Sequence, residues 1–208
     1  MTRTGNGRHS RDDVAREALR ILDDYGLPDL TMRRLAAALE VQPSALYWHF
    51  PSKQSLLAEL SDRIVTQHPE PTSRDSDWSE QVAARAFALR DALLAYRDGA
   101  EVVASTLALG LGSTAARDRL STAVAAGGFD DVTVRRATTT LLHFILGHVS
   151  HEQQRMQYDS LGVREETADP GDDTPGAEFA FGVALLVGGL ESSRQGDPGR
   201  AGSRSLEA

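Results

Sequence analysis

The chain has 208 residues, 40% of them hydrophobic and 25% charged, which is ordinary for one or two globular cores and excludes fibrous or wholly disordered classes. It has no cysteine, so a disulfide framework and thiolate chemistry are excluded, and neither a signal-peptide core nor an apolar run long enough to span a bilayer is present; a cytoplasmic location and no membrane partner are expected. The net charge is −8, but residues 1–53 hold eight Lys/Arg against seven Asp/Glu, so the acidic surplus lies in the remainder.

Residues 1–10 read as a flexible arm, either a disordered terminus or, through Arg3 and Arg8, a groove or phosphate contact. Ser10 to Tyr25 carries an apolar stripe of Val14, Ala18, Ile21, Leu22 and Tyr25 at helical spacing, ended by Gly26 and Pro28. Thr31 is a good N-cap for a second helix holding Leu35, Ala36 and Leu39 on one face; the run breaks at Glu40-Val41 and Pro43 restarts it. The third helix, Pro43 to His49, has small or polar groups on its leading turn, with Leu46 and Phe50 anchoring its inner side. Two short helices so joined form a helix-turn-helix whose second helix can enter the DNA major groove. A fourth helix is expected from Ser52 to His68, with Leu56, Leu57, Leu60 and Ile64 inward.

The organisation expected is therefore an arm at 1–10, a three-helix head with its connecting helix at 11–68 and a Pro-rich linker at 69–77. A helical domain follows at 78–194, then a Gly/Ser/Arg/Pro-rich disordered tail at 195–208. Within 78–194 the spacing predicts helices at Trp78 to Tyr96, Ala100 to Leu109, Thr114 to Ala126, Asp131 to Gln157 and Thr174 to Ser193, with an acidic mobile loop at 159–176. No strand pattern or internal repeat occurs, so the fold class is all-α.

The string LTMRRLAAALEV–PSALYWHFPSK, from Leu30 to Lys53, resembles the DNA-binding segment of the tetracycline repressor (TetR) family. The resemblance continues through YRDGAEV (Tyr96 to Val102), HFILGHVSHEQ (His143 to Gln153) and FAFGVALLVGGLE (Phe179 to Glu191). It implies an N-terminal DNA-binding domain and a C-terminal ligand-binding and dimerisation domain. It also implies DNA-contact roles at Arg33, Gln42, Pro43, Ala45, Tyr47, His49 and Lys53. Chemistry agrees: Arg33 suits guanine, Gln42 adenine, and Pro43 and Ala45 a thymine methyl. Tyr47, His49 and Lys53 are phosphate donors, Lys53 beside the positive end of the fourth helix. Thr31, Ser44 and Trp48 complete the candidate set. Trp48 reads first as a packing residue and second as a phosphate-contacting indole, and Arg34 as an ordinary solvated charge.

One such head covers few base pairs, so a palindromic operator and a homodimer are expected. The helix FAFGVALLVGGL is apolar nearly all round, and Gly182, Gly188 and Gly189 would admit a partner helix; a helix buried within a monomer is the alternative.

The resemblance further implies a ligand cavity in the C-terminal domain, linked to the heads through the fourth helix. The family's drug-binding member holds a magnesium–tetracycline chelate there. This chain has Val102-Val103 in place of that member's histidine ligand, His151 in place of an acidic group, Arg85 in place of an asparagine and Leu89 in place of an aromatic. Magnesium prefers oxygen ligands, so that chelate is not the expected inducer, and no cofactor is implied. The candidate lining is Arg85, Leu89, Val103, Thr106, Leu107 and His151, with Arg85 either favouring an anionic or carbonyl-bearing small-molecule effector or forming a surface salt bridge. His148, His151 and Glu152 share a helix face and suit zinc or nickel, or else serve as buried hydrogen-bonding groups. Enzyme readings lack any phosphate loop, nucleophile elbow or paired-carboxylate site. A ligand-responsive repressor is thus expected, against a metal-sensing repressor or a DNA-binding protein with no effector.

Overall fold

A computed structural model describes residues 9–67, 76–112, 114–160, 162 and 174–195. The expectations for the arm at 1–8, most of the linker, most of the acidic loop and the tail beyond Gln195 fall outside them; the described ends of that loop, 159–160 and 175–176, are helical instead. The described residues form nine helices and no strand, as the all-α reading requires.

The first four helices are α1 (Arg11–Tyr25), α2 (Met32–Ala38), α3 (Pro43–Leu46) and α4 (Lys53–Thr66). Ser10 and Asp13 form a capping box at the start of α1, and the backbone hydrogen bond from Ser10 holds the Asp13 carboxyl below the usual range. Gly26 takes φ +84, where a side chain would be strained, and its N–H donates to the Leu22 carbonyl at 2.8 Å. Val14, Ile21, Leu22, Leu30, Leu35, Leu46, Phe50, Leu56 and Leu60 are all buried in one core. Burial of each such side chain stabilises by about 1.5–3 kcal/mol relative to exposure. Tyr25 departs from the expected stripe: it is 46% exposed, and its ring instead carries the Arg34 guanidinium at 3.8 Å.

An ion-pair ladder ties α1 to α4. Arg11 lies 2.8 Å from Glu59, Glu59 lies 2.9 Å from Arg63, and Arg63 reaches Asp12 at 2.7 Å. The Arg11 guanidinium also covers the Phe50 ring at 4.4 Å and donates to the His49 carbonyl at 3.1 Å. The ladder therefore fixes the end of the reading helix as well as the helix packing.

The remaining helices are α5 (Trp78–Leu94), α6 (Gly99–Ala108), α7 (Ala115–Ala125), α8 (Asp131–Ser160) and α9 (Pro175–Gln195). α5 ends earlier than the apolar spacing suggests, because the chain turns sharply through Asp98 at φ +56. Gly99 is obligatory there: a Cβ would lie 2.4 Å from the Leu93 carbonyl oxygen. α8 packs on α5, α6, α7 and α9, and its Gln153 clasps the α5–α6 turn. The Gln153 amide donates to the carbonyls of Leu93 (3.0 Å) and Tyr96 (2.8 Å) and accepts from Ala100 N–H (3.2 Å). Arg90 and Glu152 form a two-pronged pair between α5 and α8 at 3.0 and 2.5 Å.

α9 buries Phe179, Val183 and Val187 against this bundle while leaving Phe181 and Leu185 71% and 65% exposed. The expectation that its glycines serve a partner divides. A Cβ at Gly182 would meet the Phe144 ring at 2.2 Å within the same chain, whereas Gly188 and Gly189 have nothing within 4 Å. Among the described residues no helix is long and apolar enough to cross a membrane.

Burial tends to raise the Glu59 carboxyl, but hydrogen bonds from Arg11 and Arg63 outweigh it and leave the group below its ordinary value. A depressed folded value means that this contribution is complete above the unfolded carboxylate range and is lost as pH falls through the folded value. Glu59→Gln is expected to cost about 1–2 kcal/mol near neutrality and to flatten the acid limb of a stability–pH profile, read by urea denaturation.

Candidate DNA-reading head and regulatory cavity

The head presents a continuous outward surface. Gln42, Pro43, Ser44, Ala45, Tyr47 and Trp48 are all exposed, while Leu46 between them is 1% exposed and Phe50 is fully buried. α3 is only one turn long, so its direction is set by these two anchors, by Pro43 at its first position and by the bend before it. That bend puts Glu40 at φ +55, stabilised by Val41 N–H donating to the Ala36 carbonyl at 3.0 Å.

Trp48 corrects the packing interpretation. It is 90% exposed, because the residues after Leu46 form a turn that directs Phe50, not Trp48, inward. Tyr47 beside Trp48 is 49% exposed, so the two rings together form an outward aromatic surface. Thr31 caps α2 by accepting from Arg34 N–H at 3.1 Å. The paired arginines of α2 separate cleanly. Arg34 is held by Asp29 and stacked on Tyr25, whereas Arg33 is exposed. His49 is half-buried, its carbonyl taken by Arg11. Lys53 is the first residue of α4, directly after the Ser52 cap, so its ammonium and the helix N-terminus present positive charge together.

In the regulatory half, Leu89, Val103 and Thr106 are buried and Leu107 half-buried. The Thr106 hydroxyl donates to the Val103 carbonyl at 2.9 Å, so it is already satisfied. Arg85 is half-buried; it donates to Gln81 at 3.2 Å, and its Nε is enclosed without an acceptor. No carboxylate pairs with it among the described residues, contrary to the salt-bridge alternative. His151 is exposed on α8 and does not face this interior within the chain.

The histidine constellation comes apart in the fold. His148 bonds the Pro175 carbonyl at 3.1 Å and packs against Phe144 and Phe179, Glu152 is engaged by Arg90, and His151 points outward. Among the described residues no three metal-ligating side chains converge.

A cavity of about 430 Å³ opens between α6, α7 and α8, and another of about 270 Å³ between α8 and α9. The first is lined by Leu107 of the expected set together with Arg117, His143 and Ser150, which the sequence reading did not assign to a ligand site. His143, Leu146, Gly147 and Ser150 recur at helical spacing and so share a face of α8; that periodicity was the available signal.

Comparison with known proteins agrees with this geometry. Residues 15–60 match the family model "Bacterial regulatory proteins, tetR family", and residues 70–170 match "Tetracyclin repressor-like, C-terminal domain". The chain is 36% identical over 202 residues to the tetracycline repressor protein class C of Escherichia coli, covering 88% of this chain and 91% of that one. Among solved structures, Mycobacterium smegmatis BioQ is 41% identical with a TM-score of 0.79, covering 88% of this chain and 98% of that one. BioQ has also been solved with its natural double-stranded DNA operator, at 40% identity, a TM-score of 0.74 and the same coverages. A tetracycline repressor variant from Acinetobacter baumannii AYE, solved in complex with minocycline, is 29% identical with a TM-score of 0.72, covering 89% and 98%.

The two tryptophans differ sharply, Trp78 being 7% exposed and Trp48 90%, so emission changes on adding DNA report on Trp48. Promoter DNA is expected to quench that emission, and Trp48→Phe to abolish the signal. Lys53→Ala is expected to weaken binding evenly across sequences and to lower the salt slope by about one unit. An unchanged slope in fluorescence titrations would remove Lys53 from the phosphate contacts.

Proposed function

This chain belongs to the tetracycline repressor (TetR) family of bacterial regulators, and from that premise we propose that it is a transcriptional repressor released from its operator by a small molecule. It is a regulator and not an enzyme. The observation that carries the DNA-binding assignment is the exposed run from Gln42 to Trp48, held outward by the buried Leu46 and Phe50 and flanked by Arg33 and Lys53. Gln42 and Arg33 read base edges, Pro43, Ser44 and Ala45 let the backbone approach, and Tyr47, Trp48, His49 and Lys53 hold phosphates; Thr31 caps the helix beside them.

The operator is a palindrome and the working species a cytoplasmic homodimer. Support comes from α9, which exposes Phe181 and Leu185 beside the open groove at Leu186, Gly189 and Leu190. A soluble monomer gains nothing from such a strip, and two heads need a common base. The 430 Å³ cavity favours an effector-responsive protein over one with a filled core, since sites for small molecules occupy about 300–1,000 Å³. The metal-sensing alternative loses its ligands to the pairings of His148 and Glu152.

A gel-shift titration with the chain's own promoter tests the assignment: a single discrete complex at moderate salt is expected, and indifference to every promoter fragment at low salt would sink it. Gln42→Ala is expected to cost about 1–3 kcal/mol on the preferred operator and to relax choice at one base pair. Leu185→Glu is expected to shift the chain to a monomer in analytical ultracentrifugation while leaving its helix content intact, with operator affinity falling together with dimer population.

A further inference from the structure

The ligand-responsive reading leaves the chemistry of the effector open, and the cavity between α6, α7 and α8 narrows it. Its walls are Ala104, Leu107 and Ala108 on one side and Leu142, Leu146 and Gly147 on the other. Its polar groups are Arg117, His143 and Ser150, and no carboxylate lines it. Among the described residues the exposed Arg117 guanidinium has one neutral partner, the Thr139 hydroxyl at 3.3 Å, and no carboxylate. This differs from the arginines that hold the fold. Arg11, Arg63 and Arg90 all lie against carboxylates that neutralise them.

We propose that this cavity takes an amphipathic anion, a carboxylate or similar acid on an apolar body, with the acid on Arg117 and the body between Leu107 and Leu146. The inference rests on the effector reading given above and adds the ligand class to it. Three facts combine. A guanidinium offers a planar fork of donors that matches a carboxylate in two parallel bonds. The neighbouring imidazole and hydroxyl can both donate to the same anion. The apolar walls reward an uncharged body, and a bound body would cover the otherwise exposed Arg117 and His143 and so strengthen the charge-assisted bonds. A cationic ligand would meet Arg117 with no carboxylate to answer it, and a neutral one would leave the guanidinium covered but unpaired, a costly arrangement. Leu107 gives the bound molecule contact with α6, the helix that begins at the turn under the head.

The test uses the full chain and two matched probe pairs, decanoate with 1-decanol and 2-naphthoate with 2-naphthalenemethanol, in isothermal titration calorimetry. The acid of each pair is expected to bind at least about tenfold tighter than its alcohol. Arg117→Gln is expected to erase that preference, Arg117→Lys to retain part of it, and Arg135→Gln, an exposed arginine of α8 outside the cavity, to leave it intact. Thermal melts check that each variant is folded. Equal binding of acid and alcohol, no binding of any probe at millimolar concentration, or an acid preference that survives in Arg117→Gln would overturn the proposal. Operator release is read in parallel by fluorescence anisotropy with a library of neutral, cationic and anionic compounds. Release by neutral or cationic compounds only would overturn the anion assignment and keep the effector reading, whereas no release by any class would remove both.

Discussion

The structure turns on one carboxylate. Asp98 sits in a left-handed conformation at the start of α6 and accepts the Leu27 N–H of the head at 2.8 Å through one oxygen and the Gln157 amide of α8 at 2.6 Å through the other. Gly26 exists as glycine partly for this contact, since a Cβ would lie 2.8 Å from the same carboxylate. The joint therefore bonds three parts of the chain at once: the α1–α2 turn, the α5–α6 turn and the C-terminal stretch of α8. One turn further back, Gln153 holds the backbone of that α5–α6 turn by three bonds. A second tie runs from Arg119 of α7 to the Val65 carbonyl at the end of α4, at 2.7 Å. Arg97 N–H to the Asp23 carboxylate at 3.3 Å and the Tyr96 hydroxyl to Gln67 add to these ties, so the α5–α6 turn and α7 are both bonded to the head.

Charge is divided on the same plan. In the head, most guanidiniums are occupied: Arg11, Arg16, Arg20, Arg34 and Arg63 all face carboxylates. Arg11 and Arg63 tie α1 to α4, Arg16 and Arg20 pair within α1, and all of them are charges already answered by carboxylates. Among the described residues of the head, Arg33 on α2 and Lys53 at the start of α4 face no carboxylate, and they bracket the exposed Gln42–Trp48 run in the chain. The net charge of −8 is therefore no obstacle, because phosphate responds to local potential within a Debye length, about 8–10 Å at physiological salt.

Much of this was legible in the chain. Helix positions followed from apolar spacing, and the cap at Thr31 followed from its hydroxyl; the capping boxes at Ser10 and Ser52 emerged only in the fold. The Gln42–Trp48 run stood out in the sequence because its residue types suit contact with a duplex, and the fold adds that it is exposed around the buried Leu46. What stayed hidden was direction. Trp48 and Tyr25 are large and apolar, so periodicity sends them inward; the turn after α3 and the stacking of Arg34 send them outward. The His148, His151 and Glu152 grouping was sound as helix geometry, but partners from α5 and the start of α9 claim two of its members. Spacing along one helix carries no information about what the neighbouring helices bring.

The glycines of α9 show how one sequence feature serves two packings. Gly182 admits the Phe144 ring of the same chain, and that ring stacks on Phe179 at 5.6 Å, closing the bundle from within. At Gly188 and Gly189, two turns on, an added Cβ would meet nothing within 4 Å among the described residues, and Gly189 lines the groove toward α8. A glycine in a helix interior costs about 1 kcal/mol relative to alanine, so open glycines there are unfavourable for an isolated chain. Together with the exposed Phe181 and Leu185 they give α9 a flat apolar strip on the side opposite its buried Phe179 and Val183. Two of the exposed apolar regions among the described residues thus differ in character: Tyr47 and Trp48 lie in a polar run with Gln42, Ser44 and His49, whereas Phe181 and Leu185 lie beside small residues of α9. In the proposed dimer a second copy lies on the α9 strip, and the small residues of α9 then bear on the spacing of the two heads, which no single head can measure.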